Sequence, residues 1–232
     1  MPDTLIPPPN LAIEAFEHLL AGRHSCRAFR GEAVDEGLIR RILTAAQRAP
    51  SWCNAQPWKV IVTSGAATED FRAALTAHAR GGERRPDIPF PESYAGAYQE
   101  RRRECGFQLY DAVGVARGDR EGSARQAAEN FRLFGAPHAA IVTTEAALGP
   151  YGAVDCGAYV TAFMLAAHAL GVACIAQAAL AAYSPFLHAH FGIPEHRQVV
   201  CGISFGFENE AHPANAFRTR RAPLDEVVEW RG

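Results

Sequence analysis

Three side chains at alternate positions, Arg23, Ser25 and Arg27 in Arg23-His24-Ser25-Cys26-Arg27-Ala28-Phe29, are suited to holding an anion. Side chains of an extended segment alternate from face to face, so all three would point one way. Two planar guanidinium forks and a hydroxyl aimed at one point match a phosphate. The plain alternative is a solvated arginine cluster. A second stretch, Ala49-Pro50-Ser51-Trp52-Cys53-Asn54-Ala55-Gln56-Pro57-Trp58, packs two prolines and two tryptophans around a serine, an asparagine and a glutamine. The prolines fix φ and remove donors, so the loop is stiff. Stiff loops at the end of an element often present polar groups to a ligand, but they also serve as simple connections.

The elements around these stretches follow from periodicity. Leu11 to Leu20 reads as an amphipathic helix closed at Gly22. Asp35 is placed as the N-cap of a helix running through Arg48, with Leu38, Ile39, Ile42, Leu43 and Ala46 at helical spacing. Trp58 to Thr63 and Ala139 to Thr144 are β-branched runs that predict buried strands, and Val172 to Ile175 and Val199 to Phe207 predict two more. Helices are expected over Phe71 to Ala79, Tyr94 to Val115, Arg120 to Phe134, Asp155 to Leu170, Tyr183 to Phe191 and Leu224 to Trp230. The run Gln99 to Glu104 reads as a solvated helix face with i,i+3 and i,i+4 pairs, or as a basic patch for a dinucleotide's extra phosphate. The helix after Asp155 is apolar nearly all round, as a central or subunit-interface helix would be. About four strands with helices in excess give one domain over 1–232, α+β in class, with a sheet wrapped by helices. The stretch 80–135 is a helical insertion, and a tail from about 212 lies on another surface.

The chain of 232 residues is 48% hydrophobic with a net charge of −2, which makes no general electrostatic case for nucleic acid or an anionic membrane. Gly171, Gln177 and Ser184-Pro185 argue against a membrane span. Six scattered cysteines without CxxC, and an opening without an apolar signal core, predict reduced thiols and a cytoplasmic location. His188 and His190 diverge on a helix and have no acidic neighbour, so no metal site is expected.

Taken in order, Arg23 to Phe29, Ala49 to Trp58 and the closing Arg221-Ala-Pro-Leu-Asp-Glu-Val-Val-Glu-Trp230 resemble the FMN-dependent nitroreductase family. Leu170-Gly171 with its following strand and Gly202-Ile-Ser-Phe-Gly206 extend the resemblance from about Glu14 to Trp230. The resemblance implies a central, mostly antiparallel sheet in an interlocked homodimer with FMN at the subunit interface. It places Arg23, Ser25 and His24 at the FMN phosphate and ribityl chain, and Arg27 at the flavin's pyrimidine edge. Pro50, Ser51, Trp52 and Asn54, with Gln56 behind, would come from the opposite subunit; Trp52 would wall the site or stack on the ring. The backbone of Ala176, Gln177, Ala178 and Ala179 would approach flavin N5. There alanines replace the family's proline, glutamate and glycine, which leaves a backbone role and puts a side-chain role in doubt. Arg221 and Arg220 match the tail's phosphate contact, and the tail would extend onto the partner.

The implied activity is hydride transfer from NADH or NADPH through FMN to an electron-poor acceptor such as a nitroaromatic or quinone, by ping-pong kinetics. Reductive dehalogenation, reduction of an unsaturated substrate, and FMN carriage without turnover are the alternatives. No side chain is assigned as a catalytic acid or base.

Overall fold

A computed structural model describes residues 9–232, so residues 1–8 of the expected domain lie outside the described part. Four strands form one sheet in the order β1-β2-β4-β3, all antiparallel: β1 Lys59–Ser64, β2 His138–Glu145, β3 Ala173–Gln177 and β4 Arg197–Gly206. The central strand β2 is the apolar run His138-Ala-Ala-Ile-Val-Thr-Thr, and its first seven residues are buried. Its side chains alternate between two cores. Ala140 and Val142, with Cys201, Ile203 and Phe205 of β4, meet Ile39, Ile42 and Ala46 of α2 (Glu36–Ala46) and Tyr159, Val160 and Phe163 of α6 (Gly149–Ala169). On the opposite face Ala139, Ile141 and Val199 meet Phe71 and Leu75 of α3 (Ala66–Ala79), Leu180 of α7 (Ala178–Ala181) and Leu187 of α8 (Ser184–Phe191). The sheet is therefore the middle layer of three, as the strand count and helix excess predicted.

The cap at Asp35 is formed as expected: its carboxylate accepts the N–H groups of Gly37 and Leu38. Three of the expected elements need correction. The strand after Trp58 is not buried through its length. As an edge strand it leaves Lys59 and Ser64 exposed, Val60 to Val62 half-buried, and only Thr63 fully covered. The helix expected over Arg120 to Phe134 stops as α5 at Ala128, and a 3-10 turn over Glu129–Gly135 carries Leu133 and Phe134 into left-handed backbone, φ 57° and 52°. Both side chains are buried there, so tertiary packing outweighs local helix preference. The tail has only a 3-10 turn at Leu224–Glu226 in place of a helix to Trp230.

The charge run lies on α4 (Gly96–Ala112), but its pairs are not within the helix. Arg101 holds Glu226 at 2.8 Å and Glu104 holds Arg220 at 2.7 Å, so α4 and the C-terminal tail are tied together. The remaining helix, α1, spans Pro9–Gly22 and exposes Leu11, Ile13, Phe16 and Leu20.

A buried histidine joins sheet and helix layer. His138 Nε2 accepts the Val34 N–H at 2.9 Å, while Nδ1 lies 2.9 Å from Ser64 Oγ, and the ring stacks on Phe205. An accepting Nε2 requires the neutral Nδ1–H tautomer. Burial lowers the His138 pKa below its ordinary value. The unfolded chain therefore binds this proton first: stability is intact above about pH 6.5 and declines below it, by at most about 1.4 kcal/mol per pH unit. Denaturant titrations between about pH 7.5 and 5 should show the wild type losing more stability on acidification than His138→Gln, which is weaker at neutral pH. Parallel pH profiles would contradict the assignment.

Candidate functional site

The segment after α1 runs extended beside the edge strand β3. Ser25 makes a parallel bridge with Cys174, and the Cys26 N–H reaches the Cys174 carbonyl at 3.1 Å. Alternation then sorts the side chains. Cys26 and Ala28 are buried, while Arg23, Ser25 and Arg27 line a cavity of about 280 Å³. Arg218, Thr219 and Arg221 of the tail and Cys105 of α4 close it. Four guanidiniums surround the space, and among the described residues no carboxylate lines it. Such an arrangement repels itself and is relieved by a multiply charged anion.

Arg27 is the most confined of the four. Its backbone N–H is held by Asn215 Oδ1 at 2.7 Å, Nη1 donates to the Ser25 carbonyl, and the guanidinium lies over Phe217. Burial lowers its pKa from the ordinary value, while Cys105 and Cys26 act in the other direction. A guanidinium so placed is still a cation at neutral pH.

Arg27 also lines a second cavity, of about 290 Å³, together with Tyr110, Asn130, Phe134 and the stretch Ala176 to Ala179. Ala178 and Ala179 open α7, so their N–H groups have no acceptor within the helix. The Gln177 side chain turns inward and is bonded to Ser204 and Asn130, which leaves its backbone to the cavity. Gly202, opposite Gln177 in the ladder, lets α7 lie flush on β4; a Cβ there would sit 2.4 Å from Leu180 Cδ2.

His24 lines the first cavity, and its Nε2 pairs with Glu208 at 2.9 Å. One expected residue lies elsewhere. Arg220 is drawn to Glu104 and borders a neighbouring cavity, while Arg221 lines the first.

Pro50, Ser51, Trp52, Asn54 and Gln56 line neither cavity. Their loop sits above the start of α6, where Asp155 accepts the Trp52 N–H at 3.0 Å and Trp52 meets Tyr151 edge-on. Cys53, Asn54 and Gln56 all have positive φ, 49°, 55° and 47°. Each such residue costs on the order of 1 kcal/mol, so the loop is held by its contacts. Ser51 Oγ accepts the Gln56 N–H, Gln47 donates to Gln56, and Trp58 donates to Gln47. Trp52 is nonetheless 62% exposed. A stiff loop built at this cost and left open to solvent suits a contact made outside its own chain.

Sequence reasoning missed Arg218, Thr219, Cys105, Asn215 and Asp155. Arg218 and Thr219 could have been included from their place beside Arg220 and Arg221. Asp155 had a visible signal, a lone acid at the head of an apolar stretch. Cys105 and Asn215 had none, since their roles depend on distant backbone.

Residues 20–207 match the model of the nitroreductase family. Nitroreductase NfnB of Mycolicibacterium smegmatis is 39% identical over 94% of this chain and 93% of its own length. A 4-nitrobenzoate reductase of Nocardioides sp. is 33% identical over 94% of this chain and 91% of its own. The crystal structure of the FMN-dependent NfnB from Mycobacterium smegmatis in complex with NADPH superposes with a TM-score of 0.91 at 36% identity, covering 95% of this chain and 100% of that one.

The Asp155 contact makes a direct prediction. Asp155→Ala strips the acceptor from the Trp52 N–H and should cost about 1–3 kcal/mol. Hydrogen exchange should then speed up over residues 51–57 ahead of the sheet. Unchanged exchange in that loop would show that Asp155 does not hold it.

Proposed function

The chain belongs to the nitroreductase family, and on that premise we propose that it is an FMN-dependent NAD(P)H oxidoreductase. The observation that carries this reading is the pair of cavities meeting at Arg27, one walled by four guanidiniums and the other by Tyr110, Asn130, Phe134 and the stretch Ala176 to Ala179. They match the two ends of FMN. Arg23, Ser25, Arg221 and Arg218 would hold the phosphate, whose charge is near −2. Arg27 would stand at the ring's pyrimidine edge, and the backbone of Gln177, Ala178 and Ala179 would face the ring. When bound, FMN would supply the chemistry, two-electron hydride transfer between NADH or NADPH and an electron-poor acceptor such as a nitroaromatic or quinone. The residues bind, orient and polarise; none is required to carry a proton.

The working unit in this proposal is a homodimer formed by a single domain over 1–232. Pro50, Ser51, Trp52, Asn54 and Gln56 would complete the neighbour's FMN site, with the insertion at 80–135 walling it and the tail from about 212 reaching the partner. Support comes from the exposed loop and from apolar side chains open to solvent on α1 and at Tyr151 and Val154. No helix among the described residues is long and apolar enough to cross a membrane. Six free cysteines support a cytoplasmic location.

Anaerobic stopped-flow mixing of the FMN-bound protein with NADH or NADPH should bleach the flavin, and a nitroaromatic or quinone should restore its colour. No bleaching with either nucleotide would leave an FMN carrier; bleaching without reoxidation by either acceptor would favour dehalogenation or reduction of an unsaturated substrate. Arg27→Gln removes a fixed cation beside the ring. A loss of about 2 kcal/mol lowers a two-electron midpoint potential by about 40 mV. An unchanged potential would place Arg27 away from the ring.

A further inference from the structure

We propose that Ser204, Gln177 and Asn130 form a positioning relay, buried at Ser204 and Gln177, that sets the floor of the ring cavity, an inference that rests on reading that cavity as the flavin site. The Ser204 hydroxyl donates to Gln177 Oε1, and Gln177 Nε2 donates to the Asn130 carbonyl at 3.0 Å and to Asn130 Oδ1 at 3.2 Å. Asn130 Nδ2 continues to the Ala127 carbonyl at 3.1 Å. The relay thus joins three elements: the core strand β4, the junction of β3 and α7, and the turn that follows α5.

A glutamine 3% exposed beside a serine at 0% is costly unless its polar atoms are bonded. Here both ends are, and a saturated buried amide fixes one geometry where an apolar side chain would allow several. The location makes that geometry matter. Gln177 immediately precedes Ala178 and Ala179, which line the cavity, and its neighbours Ala176, Ala178 and Ala179 have no polar side chain that could orient this stretch. At Gly202 the Leu180 side chain of α7 packs directly on the β4 backbone. At the other end, Asn130 anchors the turn whose left-handed Phe134 walls the same cavity. Floor and wall are therefore held at a set separation by one glutamine. The three are positioning residues, since the polar atoms of the Gln177 side chain are spent on Ser204 and Asn130.

The test uses the FMN-bound protein and two independent cuts. Ser204→Ala removes the donor to Gln177, and Gln177→Met removes the bonds to both neighbours at similar side-chain volume while leaving the backbone of residue 177 in place; Asn130→Ala leaves the bond to the residue-130 carbonyl. Expected for the first two are a limiting bleaching rate about tenfold lower with FMN still bound, as a small misplacement of the reacting centre would produce, and a shifted midpoint potential. Asn130→Ala should lose less. A purely structural role would lower thermal stability and leave rate and potential alone. Wild-type rate and potential in Ser204→Ala and Gln177→Met overturn the relay while leaving the flavin reading intact. If either of these two does not fold, the other decides by the same criteria. A wild-type chain that takes up no FMN overturns both.

Discussion

One backbone pairing underlies the arrangement of the site. The Cys26 N–H on the Cys174 carbonyl, with the bridge at Ser25, lays residues 23–27 along the free edge of β3. Once that strand-like segment is in register, pleating decides the rest: small residues go in, and Arg23, Ser25 and Arg27 come out together. A slip of one residue would turn the arginines into the core and Cys26 and Ala28 to solvent. The buried side is packed by Phe29, Phe134, Ala136 and Ile175. Burial pushes the Cys26 and Cys174 thiols up to about 12, so both serve as compact apolar fillers and not as nucleophiles. Asn215 locks the segment from the far end of the chain, accepting the Arg27 N–H and donating to the Ala28 carbonyl at 2.9 Å. Four cations gathered this way oppose folding of the empty chain, and a bound anion offsets that repulsion by mass action.

The sheet supplies two rigid platforms. At one edge β3 runs directly into α7, carrying backbone donors to the cavity beside Arg27. At the other edge the chain enters β1 from the stiff 49–58 loop. Arg197 braces that entry, donating to the Pro57 carbonyl and to the Thr143 carbonyl, both at 2.8 Å, beside the irregular register of β2 and β4 between Val142 and Thr143. The cavities and the 49–58 loop lie apart within one chain. In the proposed two-fold dimer each chain would give one half to each flavin site.

Much of this was legible in the sequence where the governing interactions are local. The Asp35 cap, the β-branched strands and the alternation from Arg23 to Arg27 all concern neighbours within a few residues. Reasoning failed where the partner is far along the chain. Arg101 and Glu104 looked like an intrahelical charge ladder because nothing nearby signals Glu226 and Arg220. Phe134 looked helical because its environment, and not its own preference, sets its backbone. The stretch after Trp58 looked buried because an edge strand and a central strand share the same β-branched composition. Gln177 could be placed beside the flavin by resemblance, but its inward turn depends on Ser204 in another strand.

The central claim is that the site is divided between two chains, and mixed dimers test it most directly. One variant would carry Arg23→Ala and Arg221→Ala in the phosphate half; the other would carry Asn54→Ala and Trp52→Ala in the loop half. Each homodimer alone should bind FMN poorly and bleach little with NADPH. Co-expressed and purified through two different tags, the heterodimer should regain one intact site, and with it about half the wild-type flavin content and bleaching amplitude. A heterodimer no better than either homodimer would contradict the division and place both halves of the site in one chain.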